Sequence, residues 1–124
     1  MKKIAVVLCG SGFKDGSEIR ESVAVLWGLS RLGVKVQCFA PDRPQADVVN
    51  CLTGKAAIGE TRNMLTEAAR IARGEILPLT QLRASHFDAL IIPGGFGVAK
   101  NLCTFATEGS KGKVLQEFKD ALLA

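Results

Sequence analysis

Apolar residues fall along this chain in two patterns, short continuous runs and longer runs with helical spacing. Lys3 to Leu8 and Phe87 to Ile92 are continuous apolar runs, the pattern of strands that are buried on both faces. Lys35 to Ala40 alternates at first and then becomes apolar, and Pro41 ends it, so it predicts another strand. These three runs predict the strands of a buried sheet.

Three other segments have apolar residues three and four positions apart, which predicts helices over Glu18 to Leu32, Asn63 to Arg73 and Lys113 to Leu123. Gly33 and Gly74 follow the first two segments, where glycine commonly ends a helix. The pattern is weak elsewhere. We therefore expect Gln45 to Gly59 to be irregular, with a turn at Thr53-Gly54-Lys55 and a short hairpin arm at Asp47 to Asn50, and we assign no strand to Glu75 to Leu79.

Strands that alternate with helices predict a doubly wound α/β fold, because parallel neighbours need a crossover connection that is usually a helix. The 124 residues suit one domain. Three strands make a thin sheet, and a final helix in this alternation is ordinarily followed by another strand. We therefore expect a chain truncated after the helix that ends near Ala124.

Composition and charge exclude several classes of function. With 48% apolar and 23% charged residues the chain suits a globular core, and its longest uncharged stretch, Ala89 to Ala99, is shorter than the ~20 residues of a membrane span. The net charge is +4, but the basic residues are scattered and tyrosine is absent, so we expect no nucleic-acid partner. No signal peptide is evident after Met1, and four cysteines without CxxC spacing suit a reducing compartment, so we expect a cytoplasmic protein with no metal site.

The candidate chemistry lies in the loops after the predicted strands, because ligands of parallel sheets bind beyond the carboxyl ends of the strands. These loops are Cys9 to Ser17, Phe39 to Pro44 and Pro93 to Gly97. Consecutive N–H groups of the last loop could bind an anion or a developing oxyanion, or the glycines could simply form a tight turn. We predict that the first and last loops together form an anion site.

The first loop also leaves a nucleotide-binding interpretation open. Gly10-x-Gly12-x-x-x-Gly16 is one residue longer than the dinucleotide fingerprint, and Asp42 follows the second strand where a ribose-binding acid could lie. Against this, the helix begins too late after Gly12 to present its first N–H groups to a phosphate in the usual way.

Glu18 has two possible roles at the start of the first helix. It could be the return partner of a capping box with Asp15 as the N-cap, or a carboxyl group at the mouth of a site. Among the cysteines, Cys38 and Cys51 are interpreted as core residues, Cys103 as packing after Gly97, and Cys9 as a possible lining residue. His86, the only histidine, precedes the third strand and so lies at the opposite edge.

Several long strings, in this order, resemble one known family. They are Asp15-Gly16-Ser17-Glu18-Ile19, Phe39-Ala40-Pro41-Asp42, Glu60-Thr61-Arg62-Asn63, Glu67 to Gly74, and Pro93 to Leu102. The family is the enhancing lycopene biosynthesis protein (ElbB) or sigma cross-reacting protein family, within the superfamily of PfpI-type proteases and class I glutamine amidotransferase-like domains. The resemblance runs from Lys3 to about Ala124, so the chain is interpreted as the amino-terminal part of such a domain.

The resemblance implies a flavodoxin-like three-layer sandwich with a parallel sheet, a homodimer, and a site built from a cysteine nucleophile, a glutamate and an oxyanion hole. Glu18 matches the glutamate and Gly95 the oxyanion-hole glycine, with substrate contacts implied at Gly10, Ser11, Gly12, Gly94 and Phe96. The activity implied is that of a glyoxalase, a lyase that converts glyoxal, a small dicarbonyl, into glycolate without a cofactor. A role in isoprenoid biosynthesis is also implied.

The chain departs from the family pattern in two ways. The family's first loop has a cysteine where this chain has Ser11 and a tyrosine where it has Lys14. Its nucleophile lies in a turn after the next strand, beyond Ala124, so we expect this chain alone to be inactive. Two other interpretations remain open, a non-catalytic binding or dimerisation module of the same fold, and a dinucleotide-binding domain.

Overall fold

The computed structural model describes the whole chain, Met1 to Ala124, and has one main sheet with helices on both of its faces. The elements, in chain order, are β1 (Lys3–Val7), α1 (Ile19–Arg31), β2 (Lys35–Ala40), β3 (Val49–Asn50), β4 (Lys55–Ala56), α2 (Met64–Ala72), β5 (Ile76–Pro78), β6 (Ala89–Ile91), α3 (Gly97–Asn101), α4 (Phe105–Glu108) and α5 (Gln116–Leu123). No helix has both the length and the apolar character of a membrane span.

The main sheet has the order β5-β2-β1-β6, and all its neighbouring strands are parallel. This confirms the predicted parallel α/β sheet. The sheet gains a fourth strand that the sequence pattern did not predict, β5, which pairs with the last three residues of β2. Only three residues of this strand join the sheet, too few for an alternating or continuous apolar pattern to be recognised.

The core has two halves, one on each face of the sheet, as the alternation of side chains along β1 requires. Ala5 and Val7 pack on one face against Leu102 and Phe118, which α5 and the end of α3 supply. The other face holds the second half of the core, which α1 and α2 cover, formed by Ile4, Val6, Leu8, Leu29, Cys38, Ala40 and Ala68. The result is a three-layer, flavodoxin-like sandwich.

Both long helices end where the sequence predicted, and local chemistry explains why. Gly33, after α1, has φ of 70°, a left-handed conformation that costs glycine little. At the start of α2, Asn63 Oδ1 accepts the Thr66 N–H at 2.9 Å, and at its end Arg73 adopts φ of 55°. These caps keep both helices at the length that spans one face of the sheet.

The segment predicted to be irregular forms a small antiparallel hairpin, in which β3 pairs with β4. Gly54 turns the chain with φ of 76°, which confirms the turn at Thr53-Gly54-Lys55. Two further predictions differ in extent. The third predicted strand pairs only over Ala89–Ile91, and the last helix begins at Gln116 instead of Lys113, since Lys113 N–H donates to Thr104 Oγ1 at 2.8 Å and so holds the preceding loop.

Candidate functional site

The candidate site lies at the carboxyl edge of the sheet, beside β1. The chain moves from β1 to β2 and β5 on one side, and β6 lies on the other side of β1. This reversal creates a topological switch point, where open parallel sheets bind their ligands in the crevice between diverging loops. The two loops that meet there are the ones after β1 and β6.

Glycines allow these two loops to touch along their backbones. A Cβ atom added at Gly95 would overlap Glu18 N and Gly16 O, and one added at Gly97 would overlap the Gly16 backbone. Gly95 also has φ of 124°, which only glycine adopts without strain. The glycines of the second loop are therefore needed for close backbone approach, whatever they contribute to catalysis.

Glu18 lies directly against this loop. Its N–H donates to Gly94 O at 2.8 Å, and its side-chain Oε2 accepts the Glu21 N–H at 2.6 Å. The predicted proximity of Glu18 and Gly95 is thus present in the structure. One carboxylate oxygen caps α1 and the side chain is only half-buried, so the other oxygen remains able to accept a proton.

Asp15 is not the N-cap that the capping-box interpretation required. Glu18 itself is the N-cap of α1, and the Asp15 side chain turns inward, where its Oδ2 accepts the Val49 N–H at 2.7 Å. Asp15 is buried, and its Oδ1 has no hydrogen-bond partner. Asp15 therefore holds the β3–β4 hairpin against the first loop instead of starting the helix.

Two backbone donors of the second loop remain unused. Phe96 N–H donates to Phe13 O at 2.6 Å and Gly97 N–H donates to Gly16 O at 3.2 Å, whereas the N–H groups of Gly94 and Gly95 donate to no atom of the chain. A pair of free, adjacent N–H groups is the arrangement that can hold a carbonyl oxygen as it becomes negative.

The anion site predicted from the two loops stays a prediction, but the start of α1 leaves only the Arg20 N–H without an acceptor in the chain. The N–H groups of Glu18, Ile19 and Glu21 are all satisfied within the chain. In addition, the Glu21 carboxylate lies so near Gly94 that a Cβ there would be 2.6 Å from its Oε1. Because the Glu21 carboxylate lies close to the free N–H groups, the site suits a neutral carbonyl compound better than a permanent anion.

The remaining predicted contact residues divide into two groups. Phe96 lies in the second loop and is 54% exposed, and the Lys100 ammonium lies 5.4 Å from the centroid of its ring. In the first loop, Gly12 donates to Ser17 O at 2.9 Å and accepts from Ile19 N at 3.1 Å, so that the loop closes on itself. Gly10 packs against Gln45, and Ser11, which lies between Gly10 and Gly12 in the chain, is half-buried. Their substrate contacts remain predictions.

The dinucleotide interpretation loses its two supports. The first loop closes on itself, and of the first N–H groups of α1 only that of Arg20 has no acceptor in the chain, so the helix start does not form the usual cradle for a pyrophosphate. Asp42, the candidate ribose-binding acid, accepts a hydrogen bond from Asn63 Nδ2 at 2.9 Å at the start of α2.

The sequence pattern did not identify Asn101, whose side chain hydrogen-bonds three separate segments of the chain around the site. Its Nδ2 donates to Cys9 O and Asp15 O, both at 2.9 Å, and its Oδ1 accepts the Ala46 N–H at 2.8 Å. A single asparagine in a helix has no distinguishing signal in one sequence. The ion pair of Lys100 and Asp47, at 3.0 Å on the same side, was missed for the same reason.

None of the four cysteines is placed as a nucleophile. Cys9 is at the carboxyl edge as predicted, but it is fully buried, and burial raises the pKa of its thiol from 9.0 to about 11, although Ser17 and Asn101 hydrogen bonds oppose the shift. Cys38 is in the core, and burial likewise raises its pKa to about 11. Cys103 donates to Val98 O at 3.5 Å and packs after α3 as predicted.

Cys51 was interpreted as a core residue, and this is wrong. It is exposed in the turn between β3 and β4, because the short hairpin has no second layer to cover it. His86 lies in the short turn before β6, at the amino edge, as predicted. No three side chains of the metal-ligating types converge anywhere in the chain.

Comparisons with known proteins show relatives along nearly the whole chain, although no family model matches it. The chain is 52% identical over 120 residues to a human protein named glutamine amidotransferase-like class 1 domain-containing protein 3, mitochondrial, a match that covers 97% of this chain and 45% of that protein. The zebrafish ES1 protein, mitochondrial, is 37% identical over 123 residues, which are 96% of this chain and 46% of that protein.

A solved structure shows the same fold. The crystal structure of an isoprenoid biosynthesis protein with an amidotransferase-like domain from Ehrlichia chaffeensis superposes with a TM-score of 0.91 at 45% identity, covering 99% of this chain and 55% of the Ehrlichia chain. The chain thus spans about half the length of the relatives it matches.

The cytoplasmic location expected from the sequence is contradicted by these relatives. The human, rat and zebrafish proteins are all named as mitochondrial. The physical reason is that a compartment is specified by targeting segments that an import machinery reads, whereas the composition of a folded domain carries no such address.

Proposed function

Since this chain is a relative of the glutamine amidotransferase-like class 1 proteins and of an amidotransferase-like isoprenoid biosynthesis protein, we propose that it carries part of the site of a glyoxalase-like enzyme of the ElbB type. The substrate class is a small dicarbonyl such as glyoxal, and the product is glycolate. A link to isoprenoid biosynthesis belongs to the same proposal, because the Ehrlichia relative is described by that process.

One observation carries the proposal: the backbone of Glu18 lies against the loop that carries two free backbone N–H groups, at Gly94 and Gly95, at the topological switch point. Such N–H groups stabilise the oxygen of a carbonyl under attack, and this typically contributes ~10²- to 10³-fold in rate for each donor. The proposal assigns the proton transfer to Glu18, whose second carboxylate oxygen has no hydrogen-bond partner in the chain.

The chemistry of the proposed reaction fits these parts. Converting glyoxal into glycolate adds one water molecule and moves one hydrogen from the first carbon atom to the second, so the reaction needs no external oxidant or reductant. A thiol that adds to one carbonyl would let Glu18 move this proton between the carbon atoms. The resulting thioester would then be hydrolysed by water to release glycolate.

The thiol is the missing component. Cys9 and Cys38 are buried with raised pKa values, Cys103 packs against the carbonyls of α3, and Cys51 is on the hairpin turn. A nucleophilic cysteine needs an accessible position and a lowered pKa, and none of these four combines them. The proposal therefore assigns the nucleophile to sequence outside these 124 residues, and the chain alone is expected not to turn over glyoxal.

The experiment measures glycolate formed from glyoxal by this chain, by its Glu18→Gln variant, and by the full-length Ehrlichia relative. We expect turnover by the relative and only background from both forms of this chain. Turnover by this chain that Glu18→Gln abolishes would contradict the missing nucleophile and direct attention to Cys9 or water. Failure of the relative as well would overturn the glyoxalase assignment itself.

A second candidate function, a non-catalytic dimerisation module, is favoured by the outer face of α1. Ile19, Val23 and Trp27 follow one another at every fourth position and are 47%, 49% and 66% exposed, which makes an apolar stripe in the otherwise charged surface. We expect a second copy of this chain to cover the stripe.

Sedimentation velocity tests the stripe. Trp27→Lys is expected to convert a dimer into a monomer, whereas Leu122→Lys, which changes an equally apolar and 47% exposed residue on α5, is expected to leave the dimer intact. A wild-type chain that stays monomeric at high micromolar concentration would exclude this candidate function.

A further inference from the structure

A second cavity lies at the amino edge of the sheet, at the end opposite Glu18. Its volume is about 240 Å³, and basic side chains surround an aromatic floor. The basic residues and the two rings are Lys3, Lys35, Arg83, His86, Phe39 and Phe87. Nothing in the proposed chemistry of the carboxyl edge uses this cavity.

The sheet register places two lysines next to each other at this edge. Lys3 and Lys35 are paired across the parallel strands β1 and β2, so their side chains leave the sheet side by side on the same face. Like charges in neighbouring positions on one face are unfavourable unless something between them is negative. Arg83 and His86 approach the same cavity from the turns before β6.

No acidic side chain forms an ion pair with this cluster. The ion pairs of the chain involve Arg43, Arg62, Arg70 and Lys100, and none involves Lys3, Lys35, Arg83 or His86. Asp88, the residue directly before β6, accepts the Lys3 backbone N–H with its Oδ2 at 2.9 Å. Because no acidic side chain lines the cavity, its lining has a net positive charge.

The floor of the cavity is apolar, and its two aromatic rings are nearly perpendicular to each other. The rings of Phe39 and Phe87 meet edge to face, with centroids 5.6 Å apart and planes at 87°, and Leu77 lies beside them. Aromatic side chains below several cationic ones favour a ligand with a flat apolar part and an anionic group. The apolar part can pack on the aromatic side chains while the anionic group contacts the cations.

We propose that this cavity binds a small anion joined to a flat apolar group, an aryl phosphate or an aryl carboxylate. The cations hold the anionic group at the mouth, and the group's ring rests on Phe39 and Phe87. A phosphate monoester matches the cluster better than a carboxylate, since it brings two negative charges to at least three positive ones.

The test is a titration of the isotopically labelled chain with phenyl phosphate, followed by the amide signals in NMR spectra. We expect signals around β1, β2 and the turn at Arg83 to move, and Lys35→Gln to weaken binding about fivefold to tenfold. Lys55→Gln, which removes the same charge from the exposed strand β4, is the matched control and should leave the affinity unchanged.

Two further probes separate the parts of the ligand. Methyl phosphate, which lacks the ring, should bind at least about tenfold more weakly than phenyl phosphate. Benzoate reports whether a carboxylate can replace the phosphate, and the tighter of the two aryl anions identifies the anionic group. Equal affinity for methyl and phenyl phosphate, an equal loss in Lys55→Gln, or signal changes confined to Gly94 and Gly95 would overturn the proposal.

Discussion

At the scale of single residues, the glycines of this chain fall into two groups. Some lie where a neighbouring backbone leaves no room for a side chain, and others lie where a side chain would meet no other atom. Gly97 opens α3 with ordinary helical backbone angles, yet its Cα faces the Gly16 backbone with no space for a methyl group. Gly28, inside α1, has no atom within 4 Å of where a Cβ would be. The same substitution should therefore have opposite effects at the two positions.

We predict that Gly97→Ala lowers the free energy of unfolding by about 2–3 kcal/mol, because the loops after β1 and β6 must separate. Gly28→Ala should raise it by about 0.5–1 kcal/mol through helix propensity. Urea unfolding followed by circular dichroism measures both. A stabilising Gly97→Ala would mean that the two loops do not touch as described.

The thiols give a second prediction at this scale. Brief alkylation of the folded chain at neutral pH should modify Cys51 first, then Cys103, and leave Cys9 and Cys38 unmodified, because reactivity needs both access and thiolate. Peptide mapping by mass spectrometry reads the order. Early modification of Cys9 would show that the carboxyl edge opens, and would restore Cys9 as a candidate nucleophile.

At the scale of elements, α3 acts as the part that joins the loops of the carboxyl edge. Asn101 at its end bonds the end of β1, the first loop and the chain after β2 at once, and it is buried. Removing it leaves two carbonyls and one N–H without partners in a site that excludes water. Unsatisfied buried groups cost more than the hydrogen bonds that they lose.

We predict that Asn101→Ala lowers the free energy of unfolding by about 2–4 kcal/mol. Asn50→Ala is the matched control, since the Asn50 side chain also accepts a backbone N–H, that of Leu52 at 2.9 Å, but in an exposed turn. Its effect should stay within about 0.5 kcal/mol. If chemical denaturation gives the same decrease in the free energy of unfolding for both variants, the hydrogen bonds of Asn101 contribute no more than those of an exposed turn.

At the scale of the whole molecule, the two buried thiols link stability to alkaline pH. Burial raises the pKa of both Cys9 and Cys38 from 9.0 to about 11. The folded state therefore holds these protons more tightly than the unfolded state. The resulting stabilisation is fully present below pH 9 and is lost as the pH rises towards 11.

We predict that the free energy of unfolding, measured in urea under reducing conditions, falls between pH 9 and pH 11, with up to about 2–3 kcal/mol from each thiol. Cys9→Ala and Cys38→Ala should each flatten this pH dependence, whatever they change in stability at neutral pH. If neither variant alters the slope, titrating lysines account for it instead of the buried thiols.

The sequence by itself determined the elements with strong local patterns. The continuous apolar runs of β1 and β6, the partly alternating run of β2, the spacing in α1 and α2, and the glycines after those helices reflect interactions within a few residues, which a single sequence shows. It also determined that the loops after β1 and β6 meet, because parallel strands bring their carboxyl ends to one edge. The proximity of Glu18 and Gly95 follows from this order alone.

Only the tertiary structure decided the features that depend on residues distant in the chain. Asp15 resembles an N-cap locally, but the Val49 N–H, 34 positions away, competes for its carboxylate and wins. The joining role of Asn101, the Glu21 carboxylate beside Gly94 and the short strand β5 likewise have no local signal, and Cys51 is exposed only because no layer covers its hairpin. Local patterns report which backbone conformation a segment prefers, whereas partners across the fold decide where each polar side chain finds its hydrogen bonds.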